Sequence, residues 1–145
     1  MALSPPPTRP TARLFGRPVR PMLAPFPVSF FVATLVTDLV YANTANLLWQ
    51  YFSIWLLTAG IAIGALAGVA GLVDWLGSRR GTRRHDPVAV LNVVIWVLAL
   101  VNAFVHSRDG WTAVVPDGLV ISAVTVLLLA IRGWVTTPVW TGAAA

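Results

Sequence analysis

The chain has 145 residues, of which 57% are hydrophobic and only 10% are charged, whereas an ordinary soluble domain carries about 25% charged residues. The mean hydropathy is +0.78 and the net charge is +5. This composition excludes a typical water-soluble globule and predicts a membrane protein. The chain has no cysteine, which excludes disulfides, thiolate metal sites and covalent haem attachment.

Residues 1–21 differ in composition from everything that follows. They contain six of the eleven prolines and four of the ten arginines, and they lack an apolar run long enough for a signal-peptide core. We therefore expect a loose, Pro/Arg-rich cytoplasmic arm. At the other end, residues 136–145 are expected to form a short cytoplasmic tail.

Four apolar segments follow the arm, and each is about long enough to cross a hydrocarbon core of about 30 Å as a helix. The predicted spans are residues 22–41, 51–75, 88–106 and 114–134. Pro25 and Pro27 fit the first turn of the first span, where a missing N–H costs little. The prediction is an all-α membrane protein, with residues 22–135 forming a four-transmembrane-helix bundle.

The arginines indicate how the bundle is oriented. Nine of the ten precede the first span, lie between the second and third, or end the fourth, and only Arg108 lies on the opposite side. By the positive-inside rule, both termini and the middle loop should be cytoplasmic. The expected location is a plasma membrane, crossed several times.

The same basic excess could suggest nucleic-acid binding, but the arginine clusters abut membrane spans and lack an aromatic platform or nucleic-acid module. Attraction to anionic lipid headgroups explains them without a further partner. We expect membrane lipids as partners and no nucleic acid.

A glycine stripe in the second span predicts close helix packing, because small residues four apart let helix backbones approach. Its members are Gly60, Gly64, Gly68 and Gly71. Packing within one bundle is the expected use. A homo-oligomer interface or a docking groove for another membrane subunit remains an alternative.

Polar residues within the spans and at their inner boundary fall into two groups by depth. The outer group is Asp38, Asn102, His106 and Asp117, and the inner group is Arg17, Arg20, Asp74, Trp75 and Asn92. A carboxylate beside a histidine could relay a proton or hold a cation, and it could equally be a structural hydrogen-bonded pair. The inner group could fix the arm to the bundle or bind an anionic ligand.

No sequence motif indicates catalysis. The chain has no zinc pattern, nucleophile elbow, Walker loop or dinucleotide fingerprint. His85 and His106 are separated by about 31 Å of helix, too far to ligate one haem within a chain. We expect no enzyme activity, no catalytic or metal-binding residues and no cofactor, and the sequence identifies no cofactor-binding residue.

Several segments together resemble a known bacterial family. These are FGRPVRPMLAPFP opening the first span, Asp38 near its end, GLVDWL closing the second span, and RGTRR with Asn92 entering the third. From about Phe15 to Trp134 the chain resembles the membrane-protein family named domain of unknown function 2231. The resemblance implies a four-helix inner-membrane module whose relatives sometimes accompany Rieske-type or cytochrome-type electron-transfer proteins.

The chain departs from that family's pattern at three histidine positions. Arg17 and Arg20 stand in place of two histidines in the proline motif, and Val88 stands where a third would lie, four residues before Asn92. Arginine stays protonated and valine has no lone pair, so any metal or haem bound through those histidines would lose its ligands here.

The sequence thus predicts a non-enzymatic accessory or structural membrane module. Two alternatives remain open. One is a membrane anchor or a quinone- or haem-associated subunit of an electron-transfer assembly, and the other is a small transporter, which would require an oligomer because four short helices hardly enclose a pathway.

Overall fold

A computed structural model describes residues 13–15, 17–77, 87–108 and 114–136. Several sequence predictions fall outside these residues. They are the first part of the arm, the arginine-rich middle loop with His85, and the carboxyl-terminal tail after Thr136.

The described chain is almost entirely helical. Strands β1 (Arg13–Leu14) and β2 (Arg17–Pro18) form a small antiparallel pair that leads into the short helix α1 (Val19–Leu23). The long helices are α2 (Pro25–Thr44), α3 (Leu47–Gly77), α4 (Pro87–His106) and α5 (Asp117–Thr136). Four helical segments are long and apolar enough to cross a membrane, which confirms the predicted four-helix membrane fold.

The arm is more structured near the membrane than its composition suggested. Most of residues 13–15 and 17–23 were assigned to a loose arm. They instead form the antiparallel pair β1–β2 and helix α1. Phe15 takes a positive φ of 49° at the hairpin turn. Helix α1 then packs against α3, which fixes the entry of the chain into the bundle.

Local signals explain where α2 begins and where it gives way to α3. Pro25 opens α2 at a position where its missing N–H has no helical partner to lose. At the other end, Ala45 adopts a left-handed conformation and its N–H bonds the carbonyl of Tyr41 at 2.8 Å. The Asn46 side chain then accepts the N–H of Leu48 at 3.0 Å and so caps α3. This cap lets α3 begin four residues before the predicted span.

The four long helices enclose one apolar core. Helix α2 packs on α3 and α5, and α4 packs on the same two helices, so the four form a closed ring. All four contribute to its buried centre, which consists of Phe31, Leu57, Ile95, Ala99 and Leu129. A second, smaller apolar cluster, the cap cluster, lies at the end of the bundle with the α2–α3 turn and consists of Tyr41, Val114, Trp49 and Val115.

The glycine stripe of α3 meets several different neighbours. A side-chain Cβ at Gly60 would lie 2.6 Å from the Phe31 ring, and one at Gly64 would lie 3.4 Å from Trp96. Gly71 faces Arg20 of α1, whereas Gly68 has no neighbour within 4 Å. Gly60, Gly64 and Gly71 therefore pack closely against neighbouring side chains, whereas Gly68 lies on an open surface.

The outward surfaces of the helices are apolar. Between 17% and 28% of each candidate span is buried within the chain, and large side chains such as Trp55 and Phe104 are about three-quarters exposed. A helix that is apolar on its outward face as well as its inward face is suited to a lipid environment.

Candidate functional site

The most deeply buried ionisable pair lies between α2 and α4. Asp38 is 0% exposed and His106 is 1% exposed. The imidazole Nε2 of His106 lies 3.0 Å from Oδ1 of Asp38. Ionisable groups at this depth are costly unless they are paired, so the pair is the natural centre of a candidate site.

The remaining two helices supply hydroxyl groups to the same carboxylate. Ser53 of α3 donates to Oδ1 at 2.5 Å, and Ser122 of α5 donates to Oδ2 at 2.6 Å. The carboxylate therefore accepts a hydrogen bond from each of two helices and contacts His106 of the third. Asp38, Ser53, Asn102, His106 and Ser122 are called the Asp38 cluster below.

The hydrogen-bond distances restrict where this pair can carry hydrogens. Nδ1 of His106 lies 3.0 Å from the backbone carbonyl of Asn102, and a carbonyl can only accept, so Nδ1 is the donor in this bond. The contact between Nε2 and Oδ1 of Asp38 then requires a hydrogen on one of these two atoms.

The amide of Asn102 extends the cluster on one side. Its Nδ2 donates to Ser122 at 2.8 Å. This orientation follows from the serine, whose only hydrogen is given to Asp38, so that its oxygen must accept. The other amide atom, Oδ1, is buried and has no hydrogen-bond partner.

A hydroxyl pair extends the cluster on another side. Thr37 and Ser53 have their side-chain oxygens 2.6 Å apart. Because Ser53 gives its hydrogen to Asp38, Thr37 must donate to Ser53 in this arrangement. Thr37 also lies within reach of two carbonyls on its own helix, so the threonine has alternative acceptors.

Three of the four residues of the predicted outer group meet in this cluster. Asp38, Asn102 and His106 come together because Asn102 and His106 are four residues apart on one face of α4, which is turned towards α2. Ser53 and Ser122 were not predicted as site residues. The sequence feature that could have identified them is their position. Each is a polar residue at the depth of Asp38 within an otherwise apolar span.

Asp117 does not belong to the cluster. It lies at the start of α5, where its carboxylate is 3.5 Å from Arg108, and both side chains are more than half exposed. A carboxylate in the first turn also interacts favourably with the helix dipole. Its surroundings are those of a surface ion pair.

Replacing Asp117 with alanine is expected to change stability only slightly, by less than about 1 kcal/mol, because exposed ion pairs contribute little. Thermal unfolding in detergent would measure the change, with Arg108→Ala as the matched variant. A loss as large as that caused by a change at Asp38 would show that Asp117 contributes to the buried network.

The predicted inner group is spread over four elements, β2, α1, α3 and α4. Arg17 and Arg20 are exposed, and Trp75 is 50% exposed. Asp74 and Asn92 are half-buried, and Asp74 and Trp75 each interact with a neighbouring group. One contact between the arm and α3 is made by Arg20, whose guanidinium lies against Gly71, one turn before Trp75.

Metal-binding residues do not cluster in the part of the chain that the structure describes. Within it, no three His, Cys, Asp or Glu side chains are grouped to hold a metal ion.

Four apolar spans around a buried polar cluster define the class of the protein, a polytopic α-helical membrane protein. A family described as predicted membrane protein (DUF2231) matches residues 16–140. The chain belongs to this family, as the resemblance in its sequence indicated. No curated protein and no solved structure gives a significant match.

Proposed function

We propose that the protein is a non-enzymatic accessory or structural module of the bacterial plasma membrane, whose four spans are tied together by the Asp38 cluster. The observation that carries this proposal is that one carboxylate bonds a side chain from each of the other three helices: Ser53, His106 and Ser122.

The physical reason is the nature of the lipid environment. Helices in a bilayer gain little from hydrophobic exclusion, so packing and interhelical hydrogen bonds hold them together. A carboxylate that satisfies donors on three neighbouring helices fixes their relative depth and rotation. It does so at a point where an unpaired charge would be expensive.

The packing around the cluster also favours a structural role over catalysis. The crevice beside it is lined by Phe31, Thr34, Leu57, Asn102, Ser122 and Thr125 and is too narrow to hold a water molecule. A catalytic group must reach a substrate within hydrogen-bond distance, whereas Asp38 and His106 are enclosed by protein.

The orientation and location follow from the charge distribution. Nine of the ten arginines lie on the side of the membrane that carries both termini, and the positive-inside rule makes that side cytoplasmic. The α2–α3 turn and the end of α4 would then face outward. Lipids are the expected partners of the apolar outer faces, and anionic headgroups those of Arg17 and Arg20.

Gentle extraction from the native membrane tests this proposal. A visible spectrum and mass spectrometry of the copurifying molecules should show a colourless protein with lipid and partner proteins or further copies of the chain. The matched control is a membrane from cells that lack the protein.

Two results would contradict the proposal, one from this measurement and one from flux assays. A haem band or stoichiometric quinone would instead identify a redox subunit. Ion flux in reconstituted vesicles that disappears in Asp38→Asn would identify a transporter.

A further inference from the structure

We propose that the bundle end at which α4 begins and α5 ends binds a phosphate group, and that Arg20, Asn92 and Arg132 hold it. The phosphate belongs to a phospholipid headgroup or to a phosphate ion from the adjacent water. This binding site lies away from the Asp38 cluster, which is near the other end of α4. It goes beyond the structural role proposed above, and either proposal can fail while the other stands.

Arg132 lies on the face of α5 that is turned into the bundle. It continues, by the same spacing of three or four residues, the buried residues Gly118, Ser122, Thr125 and Leu129. Its Nε is buried and has no hydrogen-bond partner among the described residues. A buried donor without an acceptor costs free energy, and charged side chains that face the interior of a membrane bundle mark ligand sites or ion pairs. Arg132 therefore holds an unused donor inside this end of the bundle.

Asn92 occupies the matching position on α4. It is half-buried and continues the buried face that contains Ile95 and Asn102. Asn102 donates to Ser122 at 2.8 Å, and successive spans run in opposite directions. Asn92 lies ten residues before Asn102, and Arg132 lies ten residues after Ser122. Both are therefore about 15 Å from that hydrogen bond, at the same depth and on the inward faces of neighbouring helices.

Arg20 brings a second guanidinium to the same end. It packs on Gly71 of α3, where a Cβ would lie 3.4 Å from its Nε and 3.7 Å from its Cζ. On the same face of α3, a Cβ at Gly64 would lie 3.4 Å from Trp96 of α4. Gly71 lies two turns beyond Gly64, which brings Arg20 to within about one turn, or about 5 Å, of the depth of Asn92.

The charge at this bundle end is positive. Arg20 and Arg132 are both cations, and the ion pairs between described residues involve neither of them. In the described chain the carboxylate at this end is Asp74, about one turn beyond Gly71, and it already interacts with another group. The two guanidinium groups outweigh this carboxylate, so the site favours an anion.

A phosphate group suits these three side chains. Arginine binds phosphate through paired N–H groups, and the amide of Asn92 adds a neutral donor. The several oxygens of a phosphate can accept hydrogens that arrive from α1, α4 and α5 together. Arg132 lies about one turn before the end of α5 at Thr136. The ends of spans reach the lipid headgroups, and basic pockets between spans bind phospholipid headgroups.

Native mass spectrometry of the full chain measures this binding. The probe is dioleoylphosphatidylglycerol in neutral detergent micelles, and dioleoylglycerol, which lacks the phosphate, is its matched control. The wild-type protein should retain the phospholipid and not dioleoylglycerol. A parallel titration with inorganic phosphate distinguishes the two sources. Retention of the lipid in excess phosphate would assign the site to a headgroup, and its replacement by phosphate would assign the site to the free ion.

Arg20→Gln and Arg132→Gln each remove one guanidinium from the site. Either should weaken binding of the probe by about tenfold or more, the effect of losing a charge-assisted hydrogen bond. Arg17→Gln, which removes an exposed charge at the same end, should have a smaller effect than either, and Arg108→Gln at the opposite end should have none. Because the Arg20 side chain is exposed, its variant tests the site even where Arg132→Gln does not fold.

Helical circular dichroism checks the folding of each variant. A wild-type protein that retains neither phosphatidylglycerol nor phosphate, or that retains dioleoylglycerol equally well, would overturn the proposal. So would a folded Arg20→Gln or Arg132→Gln variant that loses no more affinity than Arg17→Gln.

Discussion

Replacing Asp38 with alanine is expected to lower the free energy of unfolding of the helical bundle by about 3 to 5 kcal/mol, the range found when one member of a buried charge pair is removed. The variant leaves His106, Ser53 and Ser122 without their common acceptor. Thermal or denaturant unfolding in detergent micelles, followed by helical circular dichroism, measures the loss.

A double-mutant cycle with His106→Ala provides the control. Because the two side chains contact each other, the double variant should lose less stability than the sum of the two single variants. Strict additivity, or a loss below about 1 kcal/mol in Asp38→Ala, would contradict the role assigned to the cluster. Asp38→Asn should be milder because its amide oxygen can still accept one serine.

Replacing Gly60 with alanine is expected to destabilise the bundle by about 1 to 3 kcal/mol, the usual cost of overpacking. The added Cβ would lie 2.6 Å from the Phe31 ring and 3.2 Å from Cβ of Phe30. Phe31 is 4% exposed and belongs to the apolar centre, so its ring has little room to move.

Gly68 is the matched control on the same helix. No atom lies within 4 Å of a Cβ built there, and alanine favours a helix over glycine by about 1 kcal/mol. Gly68→Ala should therefore leave the melting temperature unchanged or raise it. Equal losses at the two positions would show that α3 packs on its neighbours differently.

The spans were predictable from the sequence because each is marked by an apolar composition that extends over many residues. Their ends were less predictable, since they depend on single contacts. Asn46 starts α3 earlier than apolarity alone indicated, through its hydrogen bond to the N–H of Leu48. Residues 13–23 were assigned mostly to the arm because proline and arginine dominate their composition, and that composition does not reveal a hairpin.

The candidate site was predictable only in part. The depth of each residue in its span placed Asp38, Asn102 and His106 together, and they do meet. Depth alone also placed Asp117 with them, whereas at the first turn of α5 its side chain reaches Arg108 at the surface. Ser53 was not predicted as a site residue, because a small residue fits a packing face as well as a polar cluster.

The contact between Asp38 and His106 inside the membrane is tested most directly by a carbon–nitrogen dipolar distance in lipid bilayers. Solid-state NMR on His85→Gln protein, labelled at aspartate carboxyl carbons and histidine nitrogens, would measure it. Contact is expected between the Asp38 carboxyl group and His106 Nε2, whose nearest oxygen lies at 3.0 Å, and it should vanish in Asp38→Asn. A His106 imidazole with no carboxyl carbon nearby would contradict the account.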